Sequence, residues 1–325
     1  IGFAVPPSND IDVWTQDLGF IALAGDDGKL AGYNITVGGG LGMSHGDAAT
    51  YPRLADLLGF CTREQVVDVA EKVVMVQRDF GDRSNRKHAR LKYTIEDRGL
   101  DWFRQELESR LGYKLGPARP FEFTGSGDRY GWTRGTDNRW HCTLFIQNGR
   151  VRDNAEAEAK TGLREIAKIH TADFRLTANQ NVVIGGVTDE QKPRIEALLG
   201  KYRLDAASRM TGLRLNSMAC VALPTCGLAL AESERYLPDL VSRLDEVIEE
   251  CGLHHDAIMV RMTGCPNGCA RPYLGEIGFV GRAPGKYNIY LGAAFNGSRL
   301  NKLYKPSVPA DQLVAELAPI IRPYA

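Results

Sequence analysis

The sequence has no excess charge of either sign and no long apolar run. Its 325 residues carry 40 Lys and Arg against 40 Asp and Glu, so composition gives no argument for a nucleic acid or a membrane surface as partner. No apolar stretch approaches the roughly 18–20 residues that span a bilayer. The glycine-rich residues 38–42 follow a predicted strand but open no helix, so they do not form a dinucleotide-binding motif. These absences predict no membrane or nucleic-acid role and no nicotinamide or flavin site.

No signal peptide is predicted at the start of this sequence. Seven cysteines, an odd number mostly in metal-like spacing, indicate a reducing compartment and predict a cytoplasmic location. The length and the 43% hydrophobic content predict two or three domains with substantial cores. Because the sequence starts at Ile1, inside a predicted strand, we expect a fragment of a longer polypeptide.

Four of the seven cysteines form two close pairs, Cys220 with Cys226 and Cys265 with Cys269. Grouped thiolates are soft ligands that suit an iron–sulfur cluster or zinc. A zinc site remains an alternative, although such sites usually space both pairs by about two to four residues. Disulfides are a second alternative, which a reducing compartment disfavours. Glycines and prolines beside the cysteines let backbone N–H groups approach bound sulfur. A four-cysteine iron–sulfur site is the leading interpretation of the spacing.

The segments around these cysteines resemble a known family. Residues 216–235 (Asn-Ser-Met-Ala-Cys-Val-Ala-Leu-Pro-Thr-Cys through Glu-Ser-Glu-Arg) and 263–269 (Thr-Gly-Cys-Pro-Asn-Gly-Cys) resemble the sulfite/nitrite reductase family, in particular its assimilatory NADPH-dependent sulfite reductases. The resemblance extends over essentially the whole chain. It implies a [4Fe–4S] cluster held by the four cysteines, with Cys269 also bridging to the iron of siroheme as its axial ligand.

The resemblance implies an activity and partners. The expected reaction is the six-electron reduction of sulfite to sulfide, with electrons from an NADPH-dependent flavoprotein (alpha) subunit. A siroheme nitrite reductase that converts nitrite to ammonia remains open, and so does a non-catalytic four-cysteine metal-binding module. The arginines that bind substrate in the family have no matching motif here, and its lysines would lie before Ile1. We therefore expect the missing N-terminal half of the same protein to complete the site.

An internal repeat predicts the fold. Residues 3–39 and 261–292 share an acidic-apolar-Gly-Phe strand followed by a second strand that ends in glycine. In this alignment Pro6 stands opposite Cys265 and Asp10 opposite Cys269, so the early copy cannot hold a cluster. Together with the resemblance, the repeat predicts an α+β fold with duplicated siroheme/iron–sulfur modules and a ferredoxin-like half-domain between them. The expected boundaries are 1–115, 116–205 and 206–325.

A basic run between residues 82 and 94 is the one dense cluster of charge. It is either a solvated face or a wall that binds anions through charge-assisted hydrogen bonds. By resemblance, Lys92 is the favoured contact to siroheme or to the anionic substrate, and Arg86 and Arg90 are weaker candidates. The resemblance also implies further cofactor contacts, namely Gln180, Asn181, Ala219, Asn267 and Gly268.

Periodicity and capping signals predict the remaining elements. Helices are expected at 51–58, 62–78, 100–111, 161–170, 188–199, from 226 through 234, and at 237–251, and one strand is expected at 174–184. The other cysteines and several histidines are interpreted as structural, namely Cys61, Cys142, Cys251, His141, His254 and His255.

Overall fold

The computed structural model describes residues 1–324, in three β-sheets with helices packed against them. The strands are β1 Gly2–Ala4, β2 Leu18–Ala24, β3 Leu30–Val37, β4 Asp56–Thr62, β5 Gly131–Arg134, β6 Trp140–Leu144, β7 Phe174–Leu176, β8 Val182–Val187, β9 Ser217–Ala219, β10 Val260–Thr263, β11 Ile277–Ala283, β12 Lys286–Leu291 and β13 Lys302–Pro309. The helices are α1 Val66–Phe80, α2 Leu91–Arg98, α3 Leu100–Leu111, α4 Ala159–Ala167, α5 Lys192–Lys201, α6 Gly212–Leu215, α7 Leu237–Glu250 and α8 Leu313–Ile321. No helix in this part of the chain is long and apolar enough to cross a membrane.

Two of the sheets are copies of one design, as the repeat predicted. Their strand orders are β1-β2-β3-β4 and β13-β12-β11-β10-β9. β1 pairs in parallel with β2, with Gly2 opposite Gly19, and β10 pairs in parallel with β11, with Arg261 opposite Gly278. The sequence separation is the same in both pairs, and an antiparallel hairpin follows in each copy. The predicted α+β fold with a duplicated module is confirmed, whereas the boundaries at 115 and 205 stay predictions.

Each sheet packs its own hydrophobic core. In the second module, α7 buries a stripe that includes Leu240, Leu244 and Val247 against the sheet, as its helical spacing predicted. Each fully buried leucine of this kind contributes roughly 1.5–3 kcal/mol. In the first module, Phe103 and Leu107 of α3 pack with α1 beneath β2 and β3. The middle sheet has the order β5-β6-β8-β7 and packs on α4 and α5, which gives the ferredoxin-like half-domain.

Two predicted helices are wrong. The chain over 51–58 is extended and leads into β4, which pairs with β3 in an antiparallel ladder. A short leucine-rich run fits a buried strand as well as a helix, so the pairing decides its form. Residues 226–234 form turns because the N–H groups of Leu230 and Ala231 donate to the carbonyl of Gly264, at 2.8 and 3.0 Å. These hydrogen bonds to a distant segment replace the i to i−4 hydrogen bonds that a helix would make.

The predicted strand 174–184 is a hairpin instead. Its two strands, β7 and β8, are antiparallel, and residues 177–181 form the turn between them. Gln180 has a φ of 69°, and the N–H of Thr177 donates to the carbonyl of Asn181 at 3.0 Å. The polar Asn-Gln-Asn sequence was the turn signal. Helix α1 also begins at Val66 rather than at residue 62, because Thr62 ends β4.

Candidate four-cysteine site

Parallel strand pairing brings the two cysteine pairs together. β9 ends at Ala219 and β10 ends at Thr263, and these strands are parallel neighbours. Cys220 and Cys265 therefore leave the same edge of the sheet. The N–H of Cys220 donates to the carbonyl of Met262 at 3.1 Å, and the N–H of Gly264 donates to Sγ of Cys220 at 3.3 Å. One backbone N–H group, that of Gly264, thus already points at a thiol sulfur at this edge.

The four thiols share one neighbourhood. Burial raises the pKa values of Cys265 and Cys269, and the charges of the other cysteines, Cys220 and Cys226 among them, raise both further. Cys265 is buried, Cys220 and Cys226 are half-buried, and Cys269 is exposed. Over residues 1–324, no group of three or more such side chains is arranged to hold a single metal ion. Four thiolates are the donor set of an iron–sulfur cluster, and structural zinc sites can use the same set.

Small residues keep the cysteine loops close to the backbone. A Cβ on Gly264 would lie 2.6 Å from Cβ of Ala222 and 2.6 Å from the carbonyl oxygen of Ala231. Gly268 has a φ of 70°, in the left-handed region that favours glycine. A side chain at either position would disturb the packing around the thiols, so the loops depend on both glycines.

The first module supplies a second wall. Residues 38–43 reach the cysteine loop, where the N–H of Met43 donates to the carbonyl of Pro266 at 3.1 Å. A Cβ on Gly42 would lie 3.4 Å from the carbonyl oxygen of Asn267. The glycine-rich segment, which carries no dinucleotide motif, therefore lets the two copies approach each other beside Cys269.

Lys92 lies beneath this glycine segment. Its ammonium is buried and donates to the carbonyls of Gly40, at 3.2 Å, and Gly42, at 3.0 Å, and also to that of Tyr51. Burial lowers the pKa of Lys92 to about 8, and the charge of Arg90 adds to this effect. The structure thus gives Lys92 a role in holding the loop. Its contact with an anion or with siroheme remains a prediction.

The other two basic candidates lie at the surface. Arg90 pairs with Asp17 at 2.7 Å, and both Arg86 and Arg90 are exposed. Neither residue approaches the thiols through any contact that the structure describes, so their assignment as cofactor contacts also stays a prediction.

The hairpin turn of the half-domain supplies a third wall. Nε2 of Gln180 donates to the carbonyl of Ala219 at 2.8 Å, and its buried Oε1 has no hydrogen-bond partner within residues 1–324. Asn181 instead uses its side chain inside the protein. Its Oδ1 accepts from the N–H of Ile146 at 2.9 Å, and its Nδ2 donates to Asp128 and Tyr130. Of the two predicted contacts, Gln180 is the one with an unused acceptor.

Sequence reasoning missed a buried ion triad that joins the two copies. Oδ2 of Asp12 lies 2.5 Å from Arg261 and 2.6 Å from Arg271. The side chains of Asp12 and Arg261 are only 1% and 3% exposed. Burial alone would raise the pKa of Asp12, but the two guanidinium charges hold it below its usual value. Arg271 also donates to Ala178 and Asn179, so one residue beside Cys269 ties all three walls together.

The internal repeat contained a signal for this triad. Asp12 and Arg271 occupy equivalent positions in the two copies, and both have left-handed backbones, with φ values of 52° and 53°. Each immediately precedes a short 3-10 helix. Opposite charges at equivalent positions of a duplicated module could therefore have suggested a contact between the two copies.

The remaining cysteines lie away from the site. Cys61 and Cys142 are buried in strands, and burial raises their pKa values to about 11 and about 12. Cys251 packs against the core of the second module at the end of α7. His254 pairs with Glu249, and Nδ1 of His141 accepts from the N–H of Gly186 at 3.3 Å. All these side chains are explained by packing or local hydrogen bonds.

Fold and site together define a duplicated α+β protein with a four-cysteine site where its modules meet. The chain belongs to the nitrite and sulphite reductase family. Residues 1–115 match the "Nitrite and sulphite reductase 4Fe-4S domain", and residues 133–202 match the "Nitrite/Sulfite reductase ferredoxin-like half domain". The four cysteines lie outside both ranges, in the copy related to residues 1–115 by the repeat.

Similar proteins carry more specific names. The chain is 59% identical, over all 325 residues, to proteins of Geobacillus kaustophilus and Geobacillus thermodenitrificans, each named "Sulfite reductase [NADPH] hemoprotein beta-component". It covers 56% of each, so it spans about half the length of these curated relatives. The solved structure of the Mycobacterium tuberculosis NirA protein is also similar, with a TM-score of 0.81 and 27% identity over 96% of this chain and 57% of that one.

Proposed function

We propose that this protein is part of an assimilatory sulfite reductase that reduces sulfite to sulfide at a siroheme bridged to a [4Fe–4S] cluster. The observation that carries the proposal is the convergence of four thiols at the contact between two copies of one module. Its specificity for sulfite rests on the names of the relatives that are 59% identical over the whole chain.

The residues present fit these groups. Four thiols are the donor set of a [4Fe–4S] cluster, and the N–H group of Gly264 already donates to one of the sulfurs. Cys220, Cys226, Cys265 and Cys269 would hold the cluster, and the exposed thiol of Cys269 would also be a ligand of the siroheme. When bound, the cluster stores single electrons and the siroheme iron provides a site for the anion.

The residues around the cysteines would position the bound groups and set the charge near them. Ala219, Asn267 and Gly268 flank the cysteines, and the unused Oε1 of Gln180 is an acceptor for a polar group of the macrocycle. Lys92 fixes the glycine segment that faces Asn267. The buried triad has two cations for one anion, so it contributes positive potential beside Cys269 that favours anionic ligands.

Partners follow from the same proposal. The sequence predicts no nicotinamide or flavin site in this chain, and we assign the supply of electrons to an NADPH-dependent flavoprotein (alpha) subunit. We place the remaining cations that bind sulfite in the part of the relatives' length that this chain does not cover, the expected N-terminal half. Because all seven cysteines are free thiols, the reducing cytoplasm is the compartment we propose.

The test is a visible spectrum combined with iron and acid-labile sulfide analysis of the purified chain. Siroheme bands with about four non-haem irons per chain are expected, and turnover with an artificial electron donor should be faster with sulfite than with nitrite. Faster turnover with nitrite would favour the family's other activity. Iron and sulfide without siroheme would place the macrocycle's remaining contacts outside this chain. A colourless zinc protein would refute the proposal.

A further inference from the structure

A second concave surface lies between the half-domain and the second module. It encloses about 450 Å³, within the range of small-molecule sites, about 300–1,000 Å³. One side is the chain that follows β6, and the opposite side is α6 and α7. None of the four cysteines and none of the predicted cofactor contacts lines it. This cleft is therefore separate from the four-cysteine site.

Arginine dominates the lining of the cleft. Three acidic side chains also line it, namely Glu156, Asp245 and Glu249. The arginines are Arg150, Arg152, Arg203, Arg209 and Arg214.

Three of the five arginines already have carboxylate partners. Arg150 pairs with Glu234 at 2.7 Å, and Arg214 pairs with Asp245 at 2.7 Å. Arg209 lies 3.5 Å from Asp205. These pairs fix the walls of the cleft but contribute little net charge.

The other two arginines carry uncompensated charge. Within residues 1–324, Arg152 and Arg203 form no ion pair, and Arg203 is oriented by a hydrogen bond from its Nε to the backbone carbonyl of Glu156 at 2.9 Å. The carboxylate of Glu156 also lacks an ion pair in this part of the chain. Guanidinium groups bind phosphate and carboxylate through paired, charge-assisted hydrogen bonds. The free cations therefore suit an anionic group at the rim.

The floor of the cleft is apolar. Ile146 and Leu204 are buried core residues of the half-domain, and Phe145 and Met210 lie beside them. An apolar floor beneath a cationic rim suits a ligand with an apolar or planar body and acidic groups at one end. An inorganic anion would use only the rim.

We propose that this cleft binds a small organic anion that carries at least two negative charges on an apolar or planar body. Organic phosphates and aromatic polycarboxylates share this chemistry. Arg152 and Arg203 bind the charged groups, and the side chains around Leu204 contact the body. Glu156 weakens binding, because its carboxylate adds negative charge to the rim.

Calorimetric titration of the purified chain at low ionic strength tests the proposal. The probes are magnesium-free ADP and benzene-1,3,5-tricarboxylate, with adenosine as the uncharged match for ADP. We expect submillimolar binding of at least one anion and binding of adenosine at least tenfold weaker. Raising the salt to a few hundred millimolar should weaken anion binding, since exposed charges are screened.

Variants show whether the binding is at this cleft. Each of Arg152→Ala and Arg203→Ala should weaken binding about tenfold, the value of one charge-assisted contact. Glu156→Gln should strengthen it. Arg139→Ala removes an exposed arginine from the β5–β6 hairpin, outside the cleft, and should leave binding unchanged. The proposal fails if neither anion binds below about 1 mM, if adenosine binds as tightly as ADP, or if the two arginine variants bind like the unmodified protein.

Discussion

Removing the charge of Asp12 should destabilise the contact between the two modules. Asn is nearly isosteric, so Asp12→Asn keeps the shape but leaves Arg261 and Arg271 without their shared carboxylate. Both contacts end on the same oxygen, Oδ2, at 2.5 and 2.6 Å. The variant would therefore bury one guanidinium without compensation and leave a second, 18% exposed, beside it.

The expected cost follows from burial. Two unit charges about 4 Å apart attract by about 4 kcal/mol at an effective dielectric constant of about 20. Removing one partner of a buried pair typically costs about 3–5 kcal/mol. We expect a similar loss in the free energy of unfolding, a large part of the roughly 5–15 kcal/mol that stabilises a typical protein.

Chemical unfolding followed by tryptophan fluorescence measures this loss, because Trp14 lies two residues from Asp12. Glu250→Gln is the matched control. Its partner Arg322 lies 3.3 Å away and both side chains are more than half exposed, so the cost should be about 0–1 kcal/mol. Adding Arg261→Met to Asp12→Asn should recover part of the loss, since it removes the unpaired cation. If Asp12→Asn costs no more than the control, the argument from buried charge is refuted.

The same triad predicts an acid dependence. The two arginines hold the folded-state pKa of Asp12 below its usual value. Its contribution is therefore fully present above about pH 4, near the pKa of an unfolded Asp, and is lost as the pH falls through the lowered folded-state pKa. The stability difference between the unmodified protein and Asp12→Asn should shrink over that acid range. A constant difference across it would contradict the assignment.

Three further substitutions test the site, and two of them have a control variant. Cys269→Ser should lower the iron and siroheme content of the purified chain. Cys251→Ala should keep its iron, because Cys251 packs against the core at the end of α7. Equal iron content in the two variants would contradict the assignment of Cys269 as a ligand. The free energy of unfolding of the unmodified protein should rise between pH 8 and 10.5, because the pKa of Lys92 is lowered in the folded state, whereas that of Lys92→Met should lack this rise. Parallel pH profiles of the unfolding free energy over that range would count against this prediction. Gly264→Ala should lower the free energy of unfolding by about 1–3 kcal/mol through overpacking and should reduce iron retention. Gly227→Ala is the control, because its Cβ would meet nothing within 4 Å, and it should behave like the unmodified protein. Similar losses in both variants would show that crowding is not the cause.

Local errors in the sequence prediction have a common physical cause. Residues 51–58 and 226–234 have apolar patterns that fit a helix. Their backbone groups bond instead to strands or loops that are distant in sequence, such as Gly264 for the second segment. Short segments have little intrinsic preference to oppose such bonds. Long segments behave differently: α3 forms with its predicted bounds, and α7 with its predicted start, because several turns of apolar spacing define one buried face.

The sequence by itself determined the chemistry of the candidate site and the duplicated fold. The spacing of the cysteines can be recognised from the order of residues alone, and the repeat is visible as a pattern of residues shared by two segments. Only the tertiary structure decided what surrounds the thiols. The partners of Gln180, the glycine segment held by Lys92, and the triad of Asp12, Arg261 and Arg271 join residues from separate parts of the chain. Those pairings depend on how three sheets pack together, which no local pattern of residues encodes.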